Sequence, residues 1–178
     1  MHLNGKMLKI EDQHYQNHSF STEGIKHHTF EYCQFDNCDF SGLSLTEISF
    51  IECEFQHCNF AEAKIGNTAF KLVKFNECKL LGLQFTDCNP FLLQMHFTSC
   101  NLSLSSFYQL DLKGTQFIDC KLNDADFTAA DLENSRFSSC DLSGAIFQSC
   151  NLKKADLRMA FNYLIDPKIN QLKGALFS

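Results

Sequence analysis

No stretch of this 178-residue sequence is apolar enough to cross a membrane, since none approaches the ~20 residues that a spanning helix needs. The chain also lacks a leader-like start. Its first fifteen residues, MHLNGKMLKIEDQHY, are polar and interrupted by charge, unlike the apolar centre of a secretory signal. We therefore expect a cytoplasmic protein that makes no contact with membranes and keeps its ten cysteines as reduced thiols.

Basic residues are missing from one long interval. No Lys or Arg occurs between Lys26 and Lys64, whereas seven Asp and Glu residues do. The formal net charge of the whole chain is −6, so this interval carries the acidity of the molecule. Binding to phosphates needs the opposite sign, and we expect no direct binding of nucleic acid.

Signatures of catalysis are missing as well. The sequence contains neither a phosphate-binding loop nor a dinucleotide fingerprint. Its Ser, His and Asp residues form no set in which a nucleophile, a base and an orienting group would meet. The prediction is a protein that is not an enzyme and uses no cofactor.

What the sequence does contain is a strong repeat. Large apolar residues recur every five positions from Phe20 to Phe85, and a second series, offset by two, runs from Leu92 to Leu157. A period of five fits neither a helix, at 3.6, nor a strand, at 2. It fits a coil with four five-residue sides, in which each side directs one apolar residue inward and a small residue two positions earlier.

This pattern predicts one all-β solenoid domain over residues 1–178. Regular coils should extend from about 20 to 160 and give about seven turns. The offset between the two series places two extra residues within 86–95, near Asn89-Pro90.

The stretch FIECEFQHCNF, residues 50–60, raises the question of a metal site. By the repeat, however, all ten cysteines take the small inward position, where cysteine acts as a small hydrophobe. His57 points outward, and a straight ladder of thiols does not converge as zinc ligands must. We therefore predict packing and no metal. The best metal candidates would be Cys33, Cys38, Cys53 and Cys58, and a single predicted inner column contains Cys38, Cys58, Cys78, Cys100, Cys120 and Cys140.

Both ends depart from the repeat. His18, Glu23 and His28 fall on small inward positions, so the first coil is expected to be loose, partly wet or displaced in register. Near the other end, Asp166-Pro167 is typical of a helix start and Gly174 of a helix end. These signals predict a C-terminal cap over 161–178 with one or two turns of helix.

Several segments resemble the pentapeptide-repeat pattern A(D/N)LXX. They include CDFSGLSL, CNFAEAKI, ADFTAADL and CDLSGAIF, and the match extends over roughly 20 to 160. The resemblance implies a right-handed quadrilateral β-helix. The acid-rich surface and the C-terminal segment look like the branch of this family that includes the Qnr quinolone-resistance proteins and the microcin B17 immunity protein. Members of that branch act on DNA gyrase, and some are described as mimics of duplex DNA.

Two functional hypotheses remain open. In the first, an acidic, DNA-mimicking rod binds a type II topoisomerase, DNA gyrase or topoisomerase IV, and modulates it or protects it from a quinolone or a toxin. The predicted contact residues are Glu31 and Glu52 at one corner, with Asp36 and Glu54 on the adjoining side. In the second, the solenoid is a protein-interaction scaffold unrelated to topoisomerases, and its acidic face serves solubility.

The C-terminal end has more apolar residues than one cap requires. They could form a homodimer interface or simply seal the last coil, and the sequence leaves both alternatives open. These residues are Met159, Phe161, Tyr163, Leu164, Ile165, Ile169, Leu172 and Leu176.

Overall fold

The computed structural model describes residues 8–178, which wind into a parallel β-solenoid of about eight turns. One short helix, α1 (Thr22–Ile25), and a 3-10 turn at Phe85–Asp87 interrupt the coils. The strands are β1 (Leu8–Glu11), β2 (His14–Gln16), β3 (His28–Glu31), β4 (Gln34–Asp36), β5 (Ser49–Ile51), β6 (Glu54–Gln56), β7 (Ala69–Lys71), β8 (Val73–Asn76), β9 (Met95–Thr98), β10 (Gln116–Ile118), β11 (Arg136–Asp141) and β12 (Asp156–Phe161).

Two parallel sheets form two sides of the tube. The short sheet contains β1, β3, β5 and β7, and the long sheet contains the other eight strands. We call the corresponding sides the short-sheet side and the long-sheet side. Isolated bridges, such as the one between Asp111 and Asp131, continue the parallel pairing outside the strands. The backbone groups of each coil are thus paired with the coils above and below.

The corners of the tube lie five residues apart. A left-handed φ angle occurs at Glu47, Glu52, His57, Glu62 and Asn67, and this spacing recurs along most of the chain. Each of these residues follows an inward apolar residue by two positions. Four such corners close each twenty-residue coil, so the repeat of five is the length of one side.

The register changes at the segment between Asn89 and Gln94. Paired residues are 20 apart before it, as in Phe55 and Phe75, and 22 apart across it, as in Phe75 and Phe97. The Asn89 N–H donates to the Thr68 carbonyl, 21 residues earlier, whereas the Gln94 N–H donates to the Phe70 carbonyl, 24 residues earlier. The chain therefore gains its extra residues within this segment.

One inward assignment at this segment was wrong. Leu92 is 64% exposed, with a left-handed φ of 57°, although the apolar series predicts that it points inward. Leu93 packs against the core instead. The extra residues shift the phase of the side, and an alignment of apolar residues alone does not show where that shift is absorbed.

Stacked phenylalanine rings fill the tube. Ring centroids of Phe35, Phe55 and Phe75 follow one another at 4.7 and 5.1 Å with nearly parallel planes. Neighbouring columns meet edge to face, as Phe107 and Phe117 do at 82°. Both arrangements are favoured by the charge distribution of the rings.

The ten cysteines are all free and buried, which confirms their predicted inward position. Their thiols donate to carbonyl groups of the coil above, for example Cys58 Sγ to the Phe35 oxygen at 3.3 Å. Burial raises the pKa of Cys38 to about 11 and that of Cys53 to about 12. These thiols are therefore protonated and unreactive at neutral pH.

The first coil is in register but partly exposed. Tyr15 pairs with Phe35, so β2 continues the long sheet. His18 and Glu23 are exposed, and the His18 ring lies 4.4 Å from that of Phe20. Of the three alternatives for this coil, partial exposure to water describes it best.

The predicted helix within the C-terminal cap is wrong, because no helix forms over 161–178. Asp166 does accept from the Lys168 N–H at 2.8 Å, but only one turn follows. Gln171 and Leu176 instead pair with Asn151 and Asp156 of the previous coil. A helix of one or two turns is marginal alone, whereas another coil extends an existing ladder.

Candidate protein-binding surface

Two of the four predicted contact residues meet around Tyr32. Glu31 ends β3 and Glu52 follows β5, and the nearby Glu52 carboxylate is the main cause that raises the pKa of Tyr32. Glu31 is not free, since its carboxylate lies 3.0 Å from Lys9 Nζ. Hydrogen bonds from Lys9 to Glu11 and Glu31 hold the pKa of that ammonium above its usual value.

The other two predicted residues lie on the long-sheet side. Asp36 and Glu54 line the same shallow depression. Asp36 accepts from Gln16 at 3.4 Å, and Glu54 accepts from Asn76 at 3.0 Å. The structure thus places the four carboxylates in two successive coils, as one pair on each of two adjoining parts of the surface.

His57 joins this acidic region, which sequence reasoning missed. Its Nδ1 lies 3.2 Å from Asp36 and its Nε2 lies 3.4 Å from Glu77. The hydrogen bond to Asp36, supported by the Glu77 charge, raises the pKa of His57. The twenty-residue period contained the signal, because Asp36 and Glu77 lie 21 residues before and 20 after the histidine.

Lysines bound the acidic region on its C-terminal side. We call the acidic residues of 27–63 the acidic belt. In the next coil, the register sets Lys71 beside Ile51 and Lys74 beside Glu54, and a bridge sets Lys79 beside Asn59. At the usual strand spacing the belt is therefore only ~10 Å tall along the tube. It suits a compact basic surface better than a long track that binds duplex DNA.

The eight apolar residues near the C-terminus divide into two groups. Tyr163, Ile165 and Leu172 are partly buried and pack against the core. The others are exposed, and Leu164 is the most exposed at 87%. This second group consists of Met159, Phe161, Leu164, Ile169 and Leu176.

A second exposed apolar surface lies at the extra residues, and the sequence gave no signal for it. Phe91 and Leu92 point outward beside Leu72 and Ile51 on the short-sheet side. Lys71 Nζ lies 5.2 Å from the centre of the Phe91 ring.

The remaining surface shows little chemistry. Among residues 8–178, no three or more His, Cys, Asp or Glu side chains are grouped so that they could hold a metal ion. Within the same residues, no helix has both the length and the apolar character that crossing a bilayer requires.

Fold and surface together define a class of protein: a parallel β-solenoid with a ring-filled interior, polar sides and banded surface charge. Residues 28–90 and 91–160 match the family model for the pentapeptide repeat region. The chain belongs to the pentapeptide repeat family.

Solved structures show the same fold. Two trypsin-treated variants of QnrB1, a plasmid-mediated fluoroquinolone resistance protein, match with TM-scores of 0.64 and 0.65 at 19% and 20% identity. The first match covers 96% of this chain and 92% of that one, and the second covers 94% and 91%. Full-length QnrB1 matches with a TM-score of 0.55 at 20% identity, over 96% and 93% of the two chains. No curated protein matches the sequence.

Proposed function

We propose that this protein is a non-catalytic binding solenoid that docks its acidic belt onto a basic groove of a type II topoisomerase, DNA gyrase or topoisomerase IV. Binding in the cytoplasm would modulate that enzyme or protect it from a quinolone or a toxin. The observation that supports the proposal is the acidic belt itself, a band of carboxylates in successive coils of a rigid rod. The shared fold with a fluoroquinolone resistance protein makes a topoisomerase the first partner to test.

Rigid presentation favours such docking. Glu31, Asp36 and Glu54 belong to paired strands, so their backbones are fixed before a partner arrives. Little conformational entropy is then lost on binding. Complementary charge mainly accelerates association and selects the partner, which requires a basic surface of similar height on the topoisomerase.

A supercoiling assay with DNA gyrase, with and without a quinolone, tests the proposal. The wild-type protein should change supercoiling or drug inhibition. Reversing Glu31, Asp36, Glu52 and Glu54 to lysine should weaken that effect by about tenfold or more, as expected for loss of complementary charge.

A matched control changes the same net charge outside the belt. Asp87, Asp111, Asp119 and Asp124 are exposed, and their replacement by lysine should preserve the effect. A wild-type protein without effect on either topoisomerase, or equal loss in both variants, would contradict the proposal.

The second candidate function is a scaffold for another protein. The lysines that limit the acidic belt to about two coils favour it, because they shorten any resemblance to DNA. A pull-down that recovers a partner other than a topoisomerase, and loses it with the belt variant, would support this alternative. We further propose that the exposed end around Met159 and Leu164 pairs two copies in a homodimer.

A further inference from the structure

The segment at the extra residues creates a continuous apolar patch. Phe91 and Leu92 are 66% and 64% exposed, and Leu72, one coil earlier, is 47% exposed. Leu72 and Leu92 line one groove together with Ile51 and Leu93. Single exposed apolar side chains are normal, whereas a contiguous patch with a polar rim marks an interaction surface. We call Ile51, Leu72, Phe91 and Leu92 the central patch.

Opposite charges lie on the two sides of the central patch. Towards the N-terminal end, Glu11, Asp12 and Glu31 outnumber Lys9. Towards the other end, Lys113 is balanced because its Nζ lies 3.2 Å from Asp111 and 3.1 Å from Asp131. The excess positive charge of that end comes from lysines one and two coils further, which are Lys153, Lys154 and Lys173.

We propose that this side binds a second copy of the same chain, with the two rods antiparallel and a two-fold axis through the central patch. An axis between Leu72 and Leu92 brings Leu72 of one copy against Leu92 of the second copy. Counting coils from that axis, Asp12 then faces Lys154 of the second copy, and the reverse contact follows by symmetry. The charge order along this side is complementary to itself only in the antiparallel arrangement.

The size of the surface sets the strength of this dimer. About eight coils at the strand spacing give a side ~38 Å long, and five residues give a width of ~16 Å. Two such sides bury roughly 1,200 Å², which is the lower limit of specific interfaces. A reversible dimer with a dissociation constant in the micromolar range is therefore expected.

Sedimentation velocity of the full chain, over roughly 1–200 μM, tests the proposal around that expected affinity. The wild type should approach the dimer mass, and Leu92→Glu should be monomeric over the same range. The matched control is Leu104→Glu. Leu104 is 58% exposed at a φ of 61°, nearly the same environment as Leu92, but on another corner, and its variant should dimerise like the wild type.

A charge swap separates this arrangement from general stickiness. Asp12→Lys and Lys154→Glu should each weaken the dimer about three- to tenfold, since each change opposes like charges twice across the axis. The double variant Asp12→Lys/Lys154→Glu should restore the wild-type affinity. Failure of the double variant to recover would overturn the antiparallel register even if a dimer exists.

Association through the C-terminal end gives a different result. There, Leu164→Glu would abolish the dimer and Leu92→Glu would not, which would overturn the present proposal. A strictly monomeric wild type would overturn it too. These outcomes do not depend on the topoisomerase proposal, because no DNA or topoisomerase enters the measurement.

Discussion

At the scale of single residues, the small inward position is a hydrogen-bonding site as well as a space to fill. Thr68 Oγ1 donates to the Leu45 carbonyl at 2.8 Å, and Ser105 Oγ donates to the Leu80 carbonyl at 2.9 Å. Cys150 Sγ makes the equivalent bond at 3.0 Å to Phe127. Cysteine, serine and threonine suit this position because each is small and has one proton to donate.

Ser135 is the exception, and it gives the first prediction at this scale. Its hydroxyl oxygen is buried without a hydrogen-bond partner in the described part of the chain. Ser135→Ala should therefore raise the free energy of unfolding by about 1 kcal/mol, whereas Ser105→Ala should lower it by about 1 kcal/mol through loss of its bond. Urea unfolding followed by circular dichroism measures both, and a change of the same sign in both variants would contradict the assignment.

Sequence alone predicts which residues point inward better than it predicts what they contact. The cysteines were placed correctly because a period of five assigns every position to the inside or the outside. The period also sets His57 between Asp36 and Glu77, but whether side chains from neighbouring coils meet depends on their rotamers. Leu92 was misplaced because the phase of its side changes inside an irregular segment.

At the scale of elements, the last segment shows how local signals lose to pairing. Asp166 caps a turn as its sequence predicts, yet the chain then directs Asn170 inward. Asn170 Nδ2 donates to the Phe147 carbonyl, and its Oδ1 accepts from the Cys150 N–H, both at 2.9 Å. Asn170 thus takes the place of a small inward residue, and this arrangement requires a coil. No local helix signal contains that information.

The Asp or Asn before each inward leucine or phenylalanine forms a second regular element. Its side chain accepts from the backbone N–H two residues later, as Asp131 does from Glu133 and Asn151 from Lys153. Such local bonds favour turns over extended backbone. They explain the second position of the family pattern, which the sequence displays but does not explain.

Asp141 gives a prediction about acid stability. Hydrogen bonds from Asn123 and Asn162 lower its pKa from 3.8 to about 2. Because the folded pKa lies below the unfolded one, this stabilisation is present above the unfolded value and is lost as the pH falls from about 4 to 2. Since Asn162 belongs to the last segment, residues 161–178 should loosen first in acid.

Thermal melting at pH 7, 4, 3 and 2 checks this expectation. Asp141→Asn should melt lower than the wild type at pH 7, and the difference should shrink towards pH 2. Asn162→Ala removes one donor, so the pKa of Asp141 should rise and the loss should begin at higher pH. A constant difference between wild type and Asp141→Asn across this range would exclude Asp141 as the cause.

At the scale of the whole molecule, the rod consists of two halves joined at the extra residues. On the short-sheet side, Phe30, Phe50 and Phe70 stack at 5.4 and 5.7 Å, but the sheet ends at β7 and the next inward residue, Leu93, is only partly buried. The long sheet continues through the junction. In a solenoid each coil contacts mainly its neighbours, so the coupling between the halves depends on fewer contacts than elsewhere.

Phe97 carries much of that coupling, and its truncation gives the last prediction. Phe97 stacks on Phe75 and on Phe117 at 5.3 Å each, and Phe117 has a comparable setting between Phe97 and Phe137. Both rings are fully buried, so Phe97→Leu and Phe117→Leu should each destabilise the fold by less than the ~3–5 kcal/mol of a change to alanine. Only Phe97→Leu should separate the halves.

Hydrogen exchange read by mass spectrometry distinguishes these two variants. In Phe97→Leu, amides of 95–178 should open at a lower free energy than those of 28–76, because the weakened junction no longer couples them. In Phe117→Leu the same two regions should remain coupled across the junction, and only the coils around the substitution should open more easily. If both variants opened as a single unit, the extra residues at 89–94 would not divide the rod, and its stability would be continuous through the central patch.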